Sequence, residues 1–154
     1  MYKLARRRWK IIRGINMDER DNMPKLSGLA KLIGIKLEDF GNGTCKVTAR
    51  VLDTHLNAGG VAHGGLHATM LDSALGGALV SIIGKEEWCA TTQLDISYIN
   101  PAYPEADLIA NGKVIRRGKN MAHCEGILTD SVGNIIASGK GTWVIWNKKP
   151  SSLH

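Results

Sequence analysis

The hydrophobic pattern predicts an α+β domain in which an antiparallel sheet curls around one long helix. Apolar residues recur with period two from Ile35 to Leu52 and again from Trp88 to Trp146. Between them, Asn57 to Gly84 is apolar on nearly every side of a helix, with Asp72 as its only charged side chain. A helix of that composition must be wrapped by the rest of the chain. Two strands, one enclosed helix and four more strands give the α+β order.

The elements follow in turn. Residues 1–23 form a basic N-terminal extension in which Lys3, Arg6, Arg7, Arg8, Lys10 and Arg13 precede any acid. Residues 1–13 carry the whole excess of +6, and the fourteen cations of residues 14–154 balance the fourteen acids. A neutral body argues against a general nucleic-acid surface, and the tail reads as a solvated or partner-docked extension. A domain over residues 24–147 follows, then a short tail over 148–154. Leu26, Leu29, Leu32 and Ile33 stand at helical spacing before Gly34, which predicts a short helix. Ile35–Phe40 and Thr44–Leu52 flank Gly41-Asn42-Gly43, a hairpin signal. The later strands are expected at Trp88–Ile99, Ala106–Arg117, Asn120–Asp130 and Ile135–Trp146, with turns at Pro101–Pro104, Gly118 and Ser131–Asn134.

Cys45, Cys89 and Cys124 are far apart and form no Cys-x-x-Cys motif, so reduced core thiols are expected. The N-terminus offers no apolar run of signal-peptide length, and the one long apolar run is broken by Asp72 and glycine pairs. The expected location is cytoplasmic, without a membrane span.

Asp72 is the first functional candidate, because an isolated carboxylate in an apolar helix is costly unless it is partnered or used. The second is the start of that helix. Gly59-Gly60 and His63-Gly64-Gly65 leave backbone N–H groups bare at the positive end of the helix dipole, where an oxyanion can approach. Small residues Gly76, Gly77 and Ala78 suggest room for an acyl group beside the helix.

Asn57, His63-Gly64-Gly65 and Asp72, followed by a strand ending Ile96-Ser97-Tyr98-Ile99-Asn100-Pro101, resemble the hotdog-fold acyl-CoA thioesterases. The likeness runs from about Pro24 to Trp146 and is to the phenylacetate-pathway-type branch of the 4-hydroxybenzoyl-CoA thioesterase superfamily. It implies hydrolysis of an acyl- or aryl-CoA thioester to free acid and coenzyme A. Asp72 would be base or nucleophile, and the Gly64 N–H the oxyanion donor. Asn57 would hold the thioester carbonyl, although an Asx-turn role is the competing reading. Thr91 matches a position where the family places a hydroxyl that assists the water. Simple alternation, however, sets Thr91 with Gln93, Asp95 and Ser97, opposite Ala90, Thr92, Leu94, Ile96 and Tyr98.

His63 is expected to fix the loop before the helix rather than to act as a base. His63 and His67 stand at i and i+4, with His55 a conceivable third metal ligand, but no Glu adjoins them and the resembling family uses no metal. No metal or bound organic cofactor is therefore expected, coenzyme A being part of the substrate. Gly65 and the cluster Arg116, Arg117 and Lys119 are candidates for contacting coenzyme A; the cluster could equally be a solvated turn. The rival to an enzyme is a non-catalytic acyl-CoA-binding hotdog protein acting as a ligand sensor, with the basic tail on DNA. Asp72 favours the enzyme.

Gly64 and Asp72 lie eight residues apart, so one helix separates them by ~12 Å along its axis. Reacting atoms must meet within ~3.5 Å. A second, antiparallel copy would set its Asp72 beside the first copy's Gly64, giving a homodimer with two shared sites. The resemblance implies the same arrangement, often as a dimer of dimers, hence a homotetramer.

Overall fold

The computed structural model describes residues 25–152; the basic extension and its expected roles lie outside them. Ser27 caps α1 (Gly28–Leu32) through its side-chain oxygen, which accepts the Ala30 N–H at 3.2 Å. Only Ala30 of this helix is buried; Leu26 and Ile33 at its ends pack against the core, while Leu29 and Leu32 are exposed, so half of the apolar stripe read from the spacing does not face this chain's core. The helix is too short to lay a full stripe on the sheet.

Strands β1 (Lys36–Gly41) and β2 (Thr44–Arg50) join through Asn42 and Gly43, both at positive φ (51° and 77°). That is the primed turn whose twist suits a hairpin, and the Gly41↔Thr44 pair closes it. The long helix α2 runs Gly64–Val80. Then come β3 (Trp88–Tyr98), β4 (Asp107–Arg117), β5 (Met121–Asp130) and β6 (Ile135–Trp146). All pairings are antiparallel, in the order β1-β2-β4-β5-β6-β3, so β1 and β3 are the sheet edges. Each strand ends within two residues of its expected bounds. Among the described residues, no helix is long and apolar enough to cross a membrane.

The sheet curls around α2, whose Leu66, Met70, Leu71, Ala74, Leu75, Ala78 and Leu79 are buried against β2, β4 and β5. The facing strands supply small or aliphatic residues by strict alternation: Cys45, Val47 and Ala49 on β2, Leu108 and Ala110 on β4, Ala122, Cys124 and Leu128 on β5. Gly112, Gly126 and Gly139 stand in register across β4, β5 and β6, directly beneath the helix. A Cβ on Gly112 would sit 2.4 Å from the Ala74 carbonyl oxygen, and one on Gly126 2.5 Å from a Leu75 methyl. Glycine is required there because the helix backbone rests on the sheet backbone.

The helix is not covered on every side, as its composition suggests. Gly65, Thr69, Asp72, Ser73, Gly76 and Val80 lie on a face that this chain leaves partly open. Asp72 is accordingly half-buried rather than enclosed. Nor do the small residues leave acyl room: a Cβ on Gly77 would meet Cys45 Sγ at 2.6 Å, and Gly76 backs onto the Trp143 indole. They admit the core.

Replacing Gly112 by alanine drives a methyl into backbone that cannot rotate away. We expect a loss of about 3 kcal/mol, at the upper end for overpacking, in chemical denaturation. Gly28→Ala, which meets nothing within 4 Å, serves as control and should be neutral or slightly stabilising.

Candidate active site

Two groups of side chains gather on α2, one at its start and one two turns on. At the start, His63 is the N-cap, and its Nδ1 accepts the Gly65 N–H at 2.8 Å. The ring thereby ties the residue before α2 to the first turn of the helix. Gly65's amide is thereby committed, whereas the Gly64 N–H donates to no acceptor among the described residues. The donor free to meet an incoming oxygen is thus the one on Gly64.

The preceding loop is drawn tight around Asn57. Its Oδ1 accepts the Gly59 N–H at 2.8 Å and the Val61 N–H at 3.4 Å, and Gly60 takes φ +77°. This is the Asx-turn, and it does not compete with ligand binding: with Oδ1 occupied, the Nδ2 donor is left over. Asn57, Ala62, Gly64, His67, Tyr98, Ile99, Asn100 and Pro101 line one cavity of about 350 Å³. Two residues with an uncommitted donor, Asn57 through Nδ2 and Gly64 through its N–H, therefore line the same cavity.

The second group joins helix to edge strand. Thr91 Oγ1 donates to Asp72 Oδ1 at 2.8 Å. This contact depends on a bulge, since Thr91 pairs with Trp143 and Gln93 with Thr142, leaving Thr92 as the extra residue. A single inserted residue turns the side chains before it to the other face. Alternation had set Thr91 on the face of Gln93, Asp95 and Ser97; the bulge sets it instead with Leu94, Ile96 and Tyr98, towards the helix. Thr92 spends its hydroxyl on the Thr142 carbonyl at 2.9 Å. Burial, and then the Asp72 charge, raises the Cys89 thiol above its ordinary range, so it stays a thiol beside the carboxylate.

The cationic cluster is divided. Arg117 pairs with Glu87, while Arg116 and Lys119 are exposed and enter no ion pair among the described residues. The histidines do not converge: His55 Nδ1 accepts the Leu52 N–H, His63 holds Gly65, and no group of three His, Cys, Asp or Glu is placed for a metal among the described residues.

Sequence reasoning passed over two residues of the cavity. Tyr98 lies over Gly64, where a Cβ would meet its ring at 3.1 Å, and its hydroxyl donates to the Gly64 carbonyl at 3.3 Å. His67 was weighed only as a metal ligand, yet it is almost wholly buried and lines the cavity. Its place three residues after Gly64, one turn on and on the same face, was the available signal.

The fold and this site define a hotdog-type protein with an uncommitted N–H at the helix start and a hydroxyl-bound carboxylate. The family described as Thioesterase superfamily matches residues 59–137, half of the chain. A Halobacterium salinarum protein bearing an esterase name is 31% identical over 130 residues, covering 77% of this chain and 85% of its own. Human acyl-coenzyme A thioesterase 13 is 29% identical over 124 residues, covering 78% and 86%. The PaaI protein of the Escherichia coli phenylacetic acid degradation operon superposes with a TM-score of 0.72 at 22% identity, over 77% of this chain and 83% of that one. The chain belongs to the thioesterase superfamily and is a thioester hydrolase.

Burial, and then the His63 charge, lowers the His67 pKa from its ordinary 6.5. The unfolded chain therefore takes up the proton more readily, and stability present above pH ~6.5 is lost as pH falls through the folded value. Thermal melts should show that acid limb, and His67→Phe should flatten it.

Proposed function

We propose that the protein hydrolyses an acyl- or aryl-CoA thioester to the free acid and coenzyme A, at sites shared by two copies of the chain. The observation that carries this reading is the 2.8 Å bond from Thr91 to Asp72. It fixes one carboxylate oxygen and leaves the other to a water. Asp72 then takes a proton from that water as it attacks the thioester carbonyl, or attacks the carbonyl itself and is released by water. Charge developing on the carbonyl oxygen is met by the Gly64 N–H and Asn57 Nδ2, and the C–S bond breaks to release the thiolate of coenzyme A, which takes up a proton. A coenzyme A substrate is supported by the name of the human relative, and Arg116 and Lys119 are the cations left to meet its phosphates. The reading involves no metal or bound organic cofactor.

The shared site is supported by the spacing of the two groups and by the open flank. Gly64 and Asp72 are separated by ~12 Å along α2. Asp72 lies on the partly open face, beside an edge strand whose unpaired backbone can meet a second copy. Trp88, Tyr98 and Ile99 along or just past that strand are exposed. An antiparallel neighbour would cover them and bring its Asp72 and Thr91 to this chain's Asn57 and Gly64.

Asp72→Asn keeps the size and the Thr91 contact but removes the base. Its turnover should fall at least ~10²-fold with the fold intact by circular dichroism; activity within a few-fold of wild type ends the mechanism.

Reassociating inactive Asp72→Asn with inactive Asn57→Ala should regenerate one intact site in each mixed dimer. Activity well above both parents is expected, and verified mixed dimers as inactive as the parents would dispose of the shared site.

A further inference from the structure

His67 is the buried group the mechanism leaves unused. It is 4% exposed, and its Nδ1 and Nε2 are the buried side-chain polar atoms without a hydrogen-bond partner among the described residues. Buried polar groups are nearly always paired, so two orphaned nitrogens in one ring ask for a partner. Burial and the His63 charge keep the ring neutral, with one N–H donor and one bare acceptor nitrogen.

The position of the ring says which partner. His67 follows Gly64 by one turn, and helical side chains lean back towards the N-terminus, so the imidazole covers the turn that carries the Gly64 N–H. Both residues line the same cavity, whose other walls include apolar Ala62, Ile99 and Pro101. What Gly64 and Asn57 hold there is the thioester carbonyl, and at most ~4.5 Å along the helix separates Gly64 from His67. Two oxygens held that far apart suit the carbonyl and a hydroxyl three or four bonds away, on the second or third carbon of the acyl group. Tyr98 closes the ring off, tilted at 37° with centroids 6.0 Å apart. Its long 3.3 Å hydrogen bond to Gly64 makes it the side chain that gives way.

We propose that His67 is a specificity residue that pairs with a hydroxyl on the second or third carbon of the acyl group, so that the preferred substrates are 2- or 3-hydroxyacyl-CoA thioesters. A hydroxyl both donates and accepts, and so pairs with the imidazole nitrogen it meets whichever one carries the proton. An unsubstituted chain leaves both nitrogens orphaned, as they are in the free protein, and forgoes that pairing. The inference rests on the thioesterase reading above.

The test compares kcat/KM for matched pairs of acyl-CoAs, hydroxylated at the second or third carbon or unsubstituted, at short, medium and long chain length. Wild-type protein should favour a hydroxylated member by at least ~10-fold at the chain length it hydrolyses best. In His67→Phe the ratio should fall to about one, and His67→Gln, which retains a donor and an acceptor, should keep part of it. Should the Phe variant not fold, the wild-type ratio and the Gln variant decide. Equal kcat/KM for both members in wild type overturns the inference while leaving the thioesterase reading intact. A preference that survives in His67→Phe, with both rates lowered alike or the dimer lost, overturns it too and assigns His67 to a structural or subunit-contact role. Hydrolysis of no acyl-CoA at all overturns both readings.

Discussion

The contact between the α2 backbone and the sheet backbone is the constraint on which the rest depends. Gly112, Gly126 and Gly139 form a groove without side chains, and Ala74 and Leu75 settle into it. Large residues then fill the flanks rather than the centre, with Met70, Leu79, Leu108, Leu128 and Trp143 fully buried around the seat. The height and roll of the helix are set by backbone contact, which tolerates less adjustment than side-chain packing. With the roll fixed, Leu71, Ala74 and Ala78 face inward, and Asp72 falls on the flank beside β3. The carboxylate is aimed by glycines some distance from it.

Hydrogen-bond economy explains the helix start. The first turn of a helix has more donors than acceptors. His63 uses its ring to satisfy Gly65, and Asn57 uses its carbonyl oxygen to satisfy Gly59 and Val61. What remains is one backbone N–H on Gly64 and one amide N–H₂ on Asn57. The loop is therefore held rigid by the same residues that present the surplus donors. Preorganised donors of this kind favour charge that appears on the carbonyl oxygen only as bonds change.

Much of this was legible in the sequence, for reasons that can be named. The strand bounds follow from period-two alternation between turn residues, and Gly41-Asn42-Gly43 permits almost no other geometry. Asp72 was visible because it is alone in apolar sequence. What the sequence hid were facts of two chain segments at once. The openness of the Asp72 flank, the dual use of the Asn57 amide and the placing of Tyr98 over Gly64 are not local. Leu29 and Leu32 misled because helical spacing says which residues share a face, not what lies opposite that face. The Thr92 bulge left one trace: Cys89 is inward at an odd position, and Leu94 and Ile96 are inward at even ones.

That change of parity has a wider consequence. Strand β3 is two ladders spliced out of phase, one ending at Thr91 beside the carboxylate and one beginning at Gln93 and running to Tyr98 over the helix start. A single-residue deletion at the splice would keep both ladders and leave Thr91 facing the helix, whereas flattening the bulge without a deletion, so that Thr92 takes the place opposite Trp143, would turn the upstream segment over, carrying Thr91 and Cys89 outward and Trp88 and Ala90 inward. The bulge, and not the sequence of this strand alone, is thus a determinant of chemistry. Aligning it with a relative residue by residue, without a gap at the splice, would pair hydroxyls with positions that face the wrong way.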